Sequence, residues 1–142
     1  MAISLACLAA LPGAAHPPAA TATLDLEITQ LRSARGVLRI CLTADSSQFP
    51  DCRGGASAVR RTISAASPRL RFEGLPPGSY AVAVIHDVNG NARLDTMLGV
   101  PREGFGFSRN PAIGFGPPRF SSVRFAVGSG AETQQVRMRY LL

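Results

Sequence analysis

Oxygen-bearing side chains are concentrated directly after the longest apolar run of the sequence outside its N-terminal segment. Counting from Asp87, they recur at the first, third, fifth and ninth positions. The residues at these positions are Asp87, Asn89, Asn91 and Asp95. Alternating oxygens on a curled loop can converge on one point, which suits Ca²⁺ because this ion takes about six to eight oxygen ligands. The sequence therefore predicts a candidate calcium site, with the backbone carbonyl of Arg93 and the carboxylate of Glu103 as further ligands.

The same loop departs from the EF-hand pattern at two positions. Where that pattern has a glycine and later a glutamate, this loop has Ala92 and Leu98. The small number of carboxylates predicts a weak site, suited to extracellular calcium levels. Asp and Asn also cap turns by accepting hydrogen bonds from nearby backbone N–H groups, and Asn89-Gly90 is a standard hairpin signal. A purely structural turn is therefore the second interpretation of the loop.

His86 and the nearby carboxylates could also perform acid–base chemistry. Asp87, Asp95 and Glu103 are spaced so that they could act as paired carboxylates as well as ion ligands. The sequence has no G-x-S-x-G nucleophile motif, and a lone histidine at a strand end is more often a hydrogen-bonded structural residue. A hydrolase that uses these carboxylates with His86 is therefore the alternative function, and an enzyme is not the favoured class.

Four phenylalanines interleaved with glycines follow the acidic residues. They are Phe105, Phe107, Phe115 and Phe120. We expect these rings to fold back over the open end of the fold, because large aromatic side chains are usually buried. The alternative is an exposed aromatic surface for a glycan or a peptide, with His86, Phe105 and Phe107 as its candidate residues.

Apolar and polar residues alternate with a period of two in several segments, which predicts that the candidate residues are carried by β-strands. These segments are residues 23–29, 37–42, 58–63, 70–72, 80–86, 121–127 and 133–141. No convincing amphipathic helix accompanies them outside the N-terminal segment. Short strands separated by turn signals predict an all-β fold, an antiparallel β-sandwich of about seven strands with an immunoglobulin-like or transthyretin-like architecture.

Three connections in this pattern carry specific predictions. Residues 23–29 and 37–42, joined through Arg35-Gly36, are expected to form a hairpin or to be neighbours in one sheet. Pro77-Gly78 fits the central positions of a type II turn, in which glycine supplies a positive φ. Residues 87–118 are rich in Gly, Pro and Asn and show no sustained period, which predicts one long loop of the functional kind.

The N-terminal segment matches a secretory signal peptide. Residues 2–11 are apolar and give way to a Pro- and Ala-rich tract, and this apolar run is too short to span a bilayer. Small-x-small patterns predict cleavage after Ala15 or after Ala22, so that residues 1–22 are the signal and 23–142 form a single domain. Export to the periplasm or the extracellular space is therefore predicted.

Removal of the signal would take away Cys7 and leave Cys41 and Cys52 as a pair. In an exported chain two cysteines predict one disulfide, which would close a short loop and contribute roughly 2–3 kcal/mol by restricting the unfolded state. The alternatives are two free thiols in a reducing compartment or a pair of metal ligands. The metal alternative is disfavoured because no histidine or second cysteine pair lies nearby in the sequence.

All fifteen basic residues are arginines, and the formal net charge is +6. Clustered basic residues would suggest nucleic-acid binding, but these are spread singly in alternating patterns, such as Arg69 with Arg71 and Arg137 with Arg139. This spacing is typical of the solvent-facing sides of strands. We therefore predict no nucleic-acid partner and a solvated basic surface that contacts anionic envelope components.

Several motifs resemble those of known families. Residues 72–80, FEGLPPGSY, resemble the F-x-x-L-P-P-G-x-Y element of transthyretin-like and collagen-adhesin B-type sandwich domains. Read in series, HDVNGNARLD at 86–95, GVPREGFGFS at 99–108 and GPPRF at 116–120 resemble the bacterial family called domain of unknown function 2141. The resemblance covers roughly residues 24–142. It implies an exported envelope β-sandwich and carries over no known activity.

Taken together, the sequence favours an exported β-sandwich that acts as a binding or structural module of the cell envelope. Its expected partner is an envelope protein or glycan, and no membrane-spanning segment is expected in the mature domain. The loop after Asp87 is stabilised either by Ca²⁺, the one cofactor that the sequence predicts, or by its own hydrogen bonds.

Overall fold

The computed structural model describes residues 11–15, 20–92, 96–97 and 100–142, with the backbone alone described at 96, 97 and 100. Within these residues the chain forms strands and one very short helix. The elements are β1 Ala22–Thr29, β2 Val37–Thr43, β3 Ala58–Ser64, β4 Arg69–Leu75, β5 Gly78–Asp87, β6 Thr96–Met97, β7 Val100–Pro101, β8 Gly104–Phe107, α1 Phe120–Val123, β9 Phe125–Val127 and β10 Gly130–Arg137. The fold is all-β, as the sequence predicts.

Two sheets form the body of the molecule. The first has the strand order β10-β1-β4, in which β1 is parallel to β10 and antiparallel to β4. The second has the order β3-β2-β5-β8 and is antiparallel throughout, and β9 pairs with the beginning of β5 on the same side as β8. The short strands β6 and β7 pair only with each other among the described residues. This arrangement is that of a β-sandwich and confirms the predicted fold class.

Alternation of side chains along the strands produces the core between the sheets. Leu24, Leu26 and Ile28 of β1 are buried against inward-facing residues of the second sheet such as Leu38 and Val84. Successive side chains in a strand point to opposite faces, so one apolar row per strand is enough to fill the interior. The period of two seen in residues 23–29, 37–42 and 80–86 therefore corresponds to one buried row in each strand.

The predicted pairing of the first two strands is wrong. β1 and β2 lie in different sheets, because β1 has β10 and β4 as its neighbours and β2 has β3 and β5. Seven residues, 30–36, connect the two strands, which is long enough to cross from one sheet to the other. The two apolar rows therefore face each other across the core instead of lying side by side.

The predicted type II turn at Pro77-Gly78 is also wrong. Positive φ occurs at Gly74 (68°) and not at Gly78, which is the first residue of β5. Strand β4 continues to Leu75, so Pro76 and Pro77 alone separate the two strands. The two prolines have a fixed φ near −65°, and Gly78 has no positive φ and no close contact that would require glycine in this connection between the sheets.

The predicted loop 87–118 contains strand structure. Strand β8 lies within it and pairs with β5, and its glycines Gly104 and Gly106 face the interior. A Cβ atom at Gly104 would collide with the ring of Tyr140, so the close approach of that ring requires glycine here. Gly and Phe alternate in β8 with a period of two, but a strand of four residues is too short for this period to be recognised in the sequence. The predicted strand 121–127 is likewise divided, into α1 and β9.

One edge of the sandwich is closed by the chain after β10. Phe105 of β8 and Arg139 exchange both backbone hydrogen bonds, at 3.0 and 2.8 Å. The same chain segment that pairs with β1 therefore continues to the edge of the second sheet. Among the described residues, no helix is long and apolar enough to cross a membrane.

Candidate functional site

Asp87 lies at the end of β5 and its side chain is completely buried. One carboxylate oxygen, Oδ2, accepts hydrogen bonds from Arg39 Nε at 2.7 Å and from the Ala92 backbone N–H at 2.9 Å. The other, Oδ1, accepts from the backbone N–H groups of Gly90 at 2.8 Å and Asn91 at 3.2 Å. Four donors from the opposite strand and from the following turn therefore converge on a single carboxylate.

The backbone around Asp87 is shaped to bring these donors together. Strands β2 and β5 pair with Arg39 opposite Ile85, which puts the arginine on the same sheet face as Asp87. Ala92, whose N–H donates to the carboxylate, has a φ of 60° in the left-handed region, so the chain bends sharply at the end of this turn. Gly36, with a φ of 76°, lies so close to Asp87 and Val88 that a Cβ atom would collide with their backbone. The Asp87 turn, residues 87–92, is thus packed against the end of the 30–36 connection.

The electrostatics favour an ionised Asp87. Burial by itself would raise the pKa of this carboxyl group, but the hydrogen bonds from Arg39, Ala92 and Gly90 outweigh burial and hold the pKa below its usual value. The Arg39 side chain is 34% exposed and the Asp87 side chain 0%, so only the carboxylate of this ion pair is fully removed from water. An ionised carboxylate that accepts several N–H groups is a strong local cap for a turn.

The predicted calcium ligands are brought together only in part. Asn89 Oδ1 accepts the backbone N–H of Asn91 at 3.2 Å, within the Asp87 turn. Glu103 is buried just before β8. Arg93 and Asp95 lie outside the described residues. Among the residues that are described, no three His, Cys, Asp or Glu side chains are grouped as for a metal ion. Calcium binding therefore stays a prediction.

His86 faces the opposite side of β5, towards the core. Its imidazole is completely buried, with Nε2 2.7 Å from the Arg35 carbonyl oxygen and Nδ1 2.7 Å from the Tyr140 hydroxyl. A carbonyl can only accept, so Nε2 carries a proton and donates it to Arg35. Nδ1 can then accept from the Tyr140 hydroxyl. Both ring nitrogens are occupied by structural partners.

Tyr140 joins His86 to the connection between β1 and β2. Its hydroxyl accepts the Arg32 backbone N–H at 3.1 Å, and the Arg32 guanidinium lies 4.3 Å from the ring centroid. Burial raises the pKa of Tyr140, and the opposing influence of Arg32 is smaller. The hydroxyl is therefore protonated at neutral pH and able to donate. His86 acts as a buried link between β5, residues 32–35 and the segment after β10.

Ser108 has a structural environment as well. It is buried, and its hydroxyl donates to the Val123 carbonyl oxygen at 2.6 Å while accepting the Val82 N–H at 3.0 Å. The serine continues the pairing between β5 and β8 by one position and ties in the end of α1. A nucleophile would need a neighbouring base, and the hydrogen-bond partners of this hydroxyl are backbone groups.

The aromatic residues form a second apolar cluster on the outer face of the second sheet. Phe105 and Phe107 are each 8% exposed, and the Phe107 ring centroid lies 5.8 Å from that of Phe49. The disulfide between Cys41 and Cys52, with a Cα–Cα distance of 5.5 Å, belongs to the same cluster. Phe105, Phe107 and the partly buried Phe120 therefore fold back, but over a sheet face and not over the open end of the sandwich. For Phe115 the prediction is wrong, because its ring is completely exposed. Because Phe105 and Phe107 are buried, they do not offer an exposed ligand surface together with His86.

Sequence reasoning missed the partners that complete these networks. Arg39, Arg35 and Tyr140 are contributed by other strands and connections, and only the strand register brings them next to Asp87 and His86. The alternation of residues 133–141 predicts that Tyr140 points inward, although β10 itself ends at Arg137, but it does not predict His86 as the partner. A shallow groove of about 340 Å³ lies elsewhere, between β3 and β4. It is lined by Val59, Arg61, Arg71, Phe72, Glu73 and Leu75.

Comparison with known proteins gives one match. Residues 26–135 match the model of a family described as "Uncharacterized protein conserved in bacteria (DUF2141)". Curated proteins and solved structures provide no significant match to the chain.

Proposed function

The chain belongs to the DUF2141 family, and on that premise we propose that it is an exported, non-catalytic β-sandwich serving as a binding or structural module of the bacterial cell envelope. In this proposal the Asp87 turn is a self-contained structural element. It stabilises the end of the central strand β5 and fixes the position of the residues that follow. The expected partner is an envelope protein or glycan.

The observation that carries the proposal is the complete hydrogen bonding of the buried Asp87 carboxylate. Two donors engage each of its oxygens, and three of the four donors are backbone groups of its own turn. A catalytic carboxylate must have an oxygen available to the reacting atoms. Here both oxygens are already used to hold the turn, which favours a structural role.

The hydrolase alternative is weakened by the directions of its two central residues. His86 and Asp87 are consecutive in β5, so their side chains point to opposite faces of the sheet. Each side chain is completely buried and hydrogen-bonded on its own face of the sheet, His86 to Tyr140 and Asp87 to Arg39. A general base must come within hydrogen-bond reach of the proton it abstracts, and these two groups do not approach a common point.

Calcium remains the alternative way of stabilising the loop. The ion would have to coordinate Asp87 oxygens that now accept hydrogen bonds from Arg39 and from three backbone N–H groups. A guanidinium next to the carboxylate supplies the positive charge that a cation would otherwise provide. The present hydrogen bonds therefore favour the metal-free version of the proposal.

Export is supported by the Cys41–Cys52 disulfide, because disulfides persist in oxidising compartments. Of the two predicted cleavage positions, the one after Ala15 is the more compatible with the fold. Ala22 is a buried residue of β1, paired with Leu75 and Gly130, and cleavage after it would remove it from the strand. Cleavage after Ala15 would leave β1 entire.

The test is the melting temperature of the oxidised protein from residue 16 onward, measured in EDTA and then across a Ca²⁺ titration into the millimolar range. A ligand that binds only the folded state raises its stability by mass action. We expect no saturable rise with wild-type protein. Asp87→Asn should melt at a lower temperature with or without Ca²⁺, because an amide nitrogen would meet the Arg39 or backbone donors.

A saturable rise in melting temperature that disappears in Asp87→Asn would instead establish calcium binding and overturn the metal-free version. Asp25→Asn is the matched control, since Asp25 also pairs with an arginine but lies exposed on the first sheet. An Asp87→Asn variant that melted like wild type would contradict the structural role of this carboxylate.

A further inference from the structure

An exposed loop without any polar side chain lies between β8 and α1. Residues 111–118 read Pro-Ala-Ile-Gly-Phe-Gly-Pro-Pro and contain no charged or hydrogen-bonding side chain. Phe115, at the centre, is completely exposed, whereas Phe105 and Phe107 of the preceding strand are buried. Surface loops usually carry polar residues because they face water. Ile113 packs against the cluster of Phe105 and Phe107, so this loop, which we call the apolar tip, presents one large apolar side chain, Phe115, to its surroundings.

The apolar tip projects from a fixed base. On one side the Asn110 side chain donates to the Gln135 carbonyl oxygen at 2.9 Å and accepts the Arg137 N–H at 2.8 Å. On the other side Phe120 packs against the Phe49 ring, with the centroids 6.2 Å apart. Both ends of the loop are thus attached to the sandwich while Phe115 is left outside it.

Arginines flank the tip on both sides in the sequence. The whole stretch 104–131 contains arginines at 109, 119 and 124 and no acidic residue. Arg109 and Arg119, at the two ends of the loop, are exposed and have no ion pair with any described residue. By contrast, Arg69 and Arg71 on the first sheet are paired with Glu27 and Asp25. The charge at the base is therefore available to an anionic partner.

We propose that the apolar tip attaches the protein peripherally to an anionic lipid bilayer, with Phe115 in the interfacial region and Arg109 and Arg119 on lipid phosphates. Aromatic side chains are favoured at the level of the headgroups, and a guanidinium can bind phosphate through two parallel hydrogen bonds. Basic residues next to an apolar segment add electrostatic attraction to anionic lipids.

The shape of the tip favours a bilayer over a protein partner. A stable protein interface buries about 800 Å² on each side, and one phenylalanine flanked by glycines supplies only a small part of that area. A bilayer needs no complementary pocket, because a narrow apolar projection can enter the interface. The attachment is weak and reversible, since it depends on one side chain and a few charges.

This attachment goes beyond the proposed envelope function and does not depend on it, because vesicles test it in isolation. The sequence contains no tryptophan, so Phe115→Trp makes the tip the single site of tryptophan fluorescence. We expect its emission to shift to the blue with vesicles containing phosphatidylglycerol and not with vesicles of phosphatidylcholine alone. Leu141→Trp, at another exposed apolar position, is the control and should show no shift.

Sedimentation of tryptophan-free variants with the same anionic vesicles measures how much Phe115 and the two arginines each contribute to binding. We expect Phe115→Ser to weaken binding about tenfold, and the double variant Arg109→Gln/Arg119→Gln to weaken it roughly 30-fold. Arg60→Gln/Arg61→Gln removes the same charge from β3, at the opposite edge of the second sheet, and should have a much smaller effect. Melting temperatures of the variants check that each is folded.

The proposal is overturned if anionic vesicles produce no blue shift, or if neutral vesicles produce an equal one. It is also overturned if the β3 double variant weakens binding as much as the double variant at the tip, because attraction would then follow net charge alone. A blue shift that grows with protein concentration in the absence of lipid would mean that a second copy covers Phe115, and would equally reject the bilayer.

Discussion

Two aspartate–arginine pairs in this molecule have the same closest contact and different surroundings. Arg71 Nε lies 2.7 Å from Asp25 Oδ1 on the first sheet, and Arg39 Nε lies 2.7 Å from Asp87 Oδ2 on the second. The Asp25 side chain is 40% exposed, whereas that of Asp87 is fully buried and also accepts three backbone N–H groups. Contact distance alone therefore says little about the contribution of an ion pair to stability, because burial and additional donors determine what its loss costs.

The largest expected difference between the two pairs is in their alanine variants. Asp87→Ala should lower the free energy of unfolding by about 2–4 kcal/mol, between the loss of a turn or helix cap and the breaking of a buried ion pair. Asp25→Ala should change the free energy of unfolding only slightly, because water can take the place of the carboxylate next to the exposed Arg71. Urea denaturation of both variants measures the difference, and equal losses would remove the distinction drawn between the two sites.

A smaller difference is expected when the arginines are replaced. Arg39→Met keeps the apolar stem but removes one donor to a buried carboxylate, and should cost about 1–2 kcal/mol because three backbone donors to Asp87 remain. Arg71→Met is the counterpart on the first sheet and should leave the urea midpoint close to that of wild type. If Arg39→Met cost as much as Asp87→Ala, the arginine and not the turn would dominate the site.

The smallest expected difference appears in the dependence of stability on pH. The pKa of Asp87 is held below its unfolded-state value, since the bonds from Arg39, Ala92 and Gly90 outweigh the opposing effect of burial. The resulting stability is present above the unfolded pKa of about 3.9 and is lost as pH falls through the folded pKa. Wild-type protein should therefore lose stability in acid, and Asp87→Asn should lose less. Melting curves from neutral pH down to strong acid, compared with those of Asp25→Asn, measure how much of the dependence of stability on pH is due to Asp87.

The positions of the main strands could be predicted because they follow from local alternation. Residues 23–29, 37–42 and 80–86 each carry an apolar row with a period of two, and the structure has β1, β2 and β5 at these places. The sequence also supports the capping role of Asp87 as one of two interpretations of the loop, since Asp and Asn before glycine commonly cap turns. Local chemistry was sufficient for these features.

The remaining features depend on contacts between distant parts of the chain. Arg39 reaches Asp87 only through the register of β2 with β5, and Tyr140 reaches His86 only after the last strand has crossed to the other sheet. The short strand β8 was missed because a run of four residues is too short to establish a period. Neighbouring strands in the sequence are usually neighbours in space, and β1 with β2 is an exception that no local pattern reveals.

The parallel pairing of β1 with β10 has a consequence for the order of folding. β1 precedes every other strand and β10 follows them, yet they are adjacent along eight consecutive pairs of residues from Ala22–Gly130 to Thr29–Arg137. Contacts between residues so far apart in sequence require closure of a large loop, which slows folding. The first sheet can be completed only after β10 has been synthesised, so Leu24, Leu26 and Ile28 stay incompletely covered until then. The fold therefore acquires its final form in a late step that joins β10 to β1.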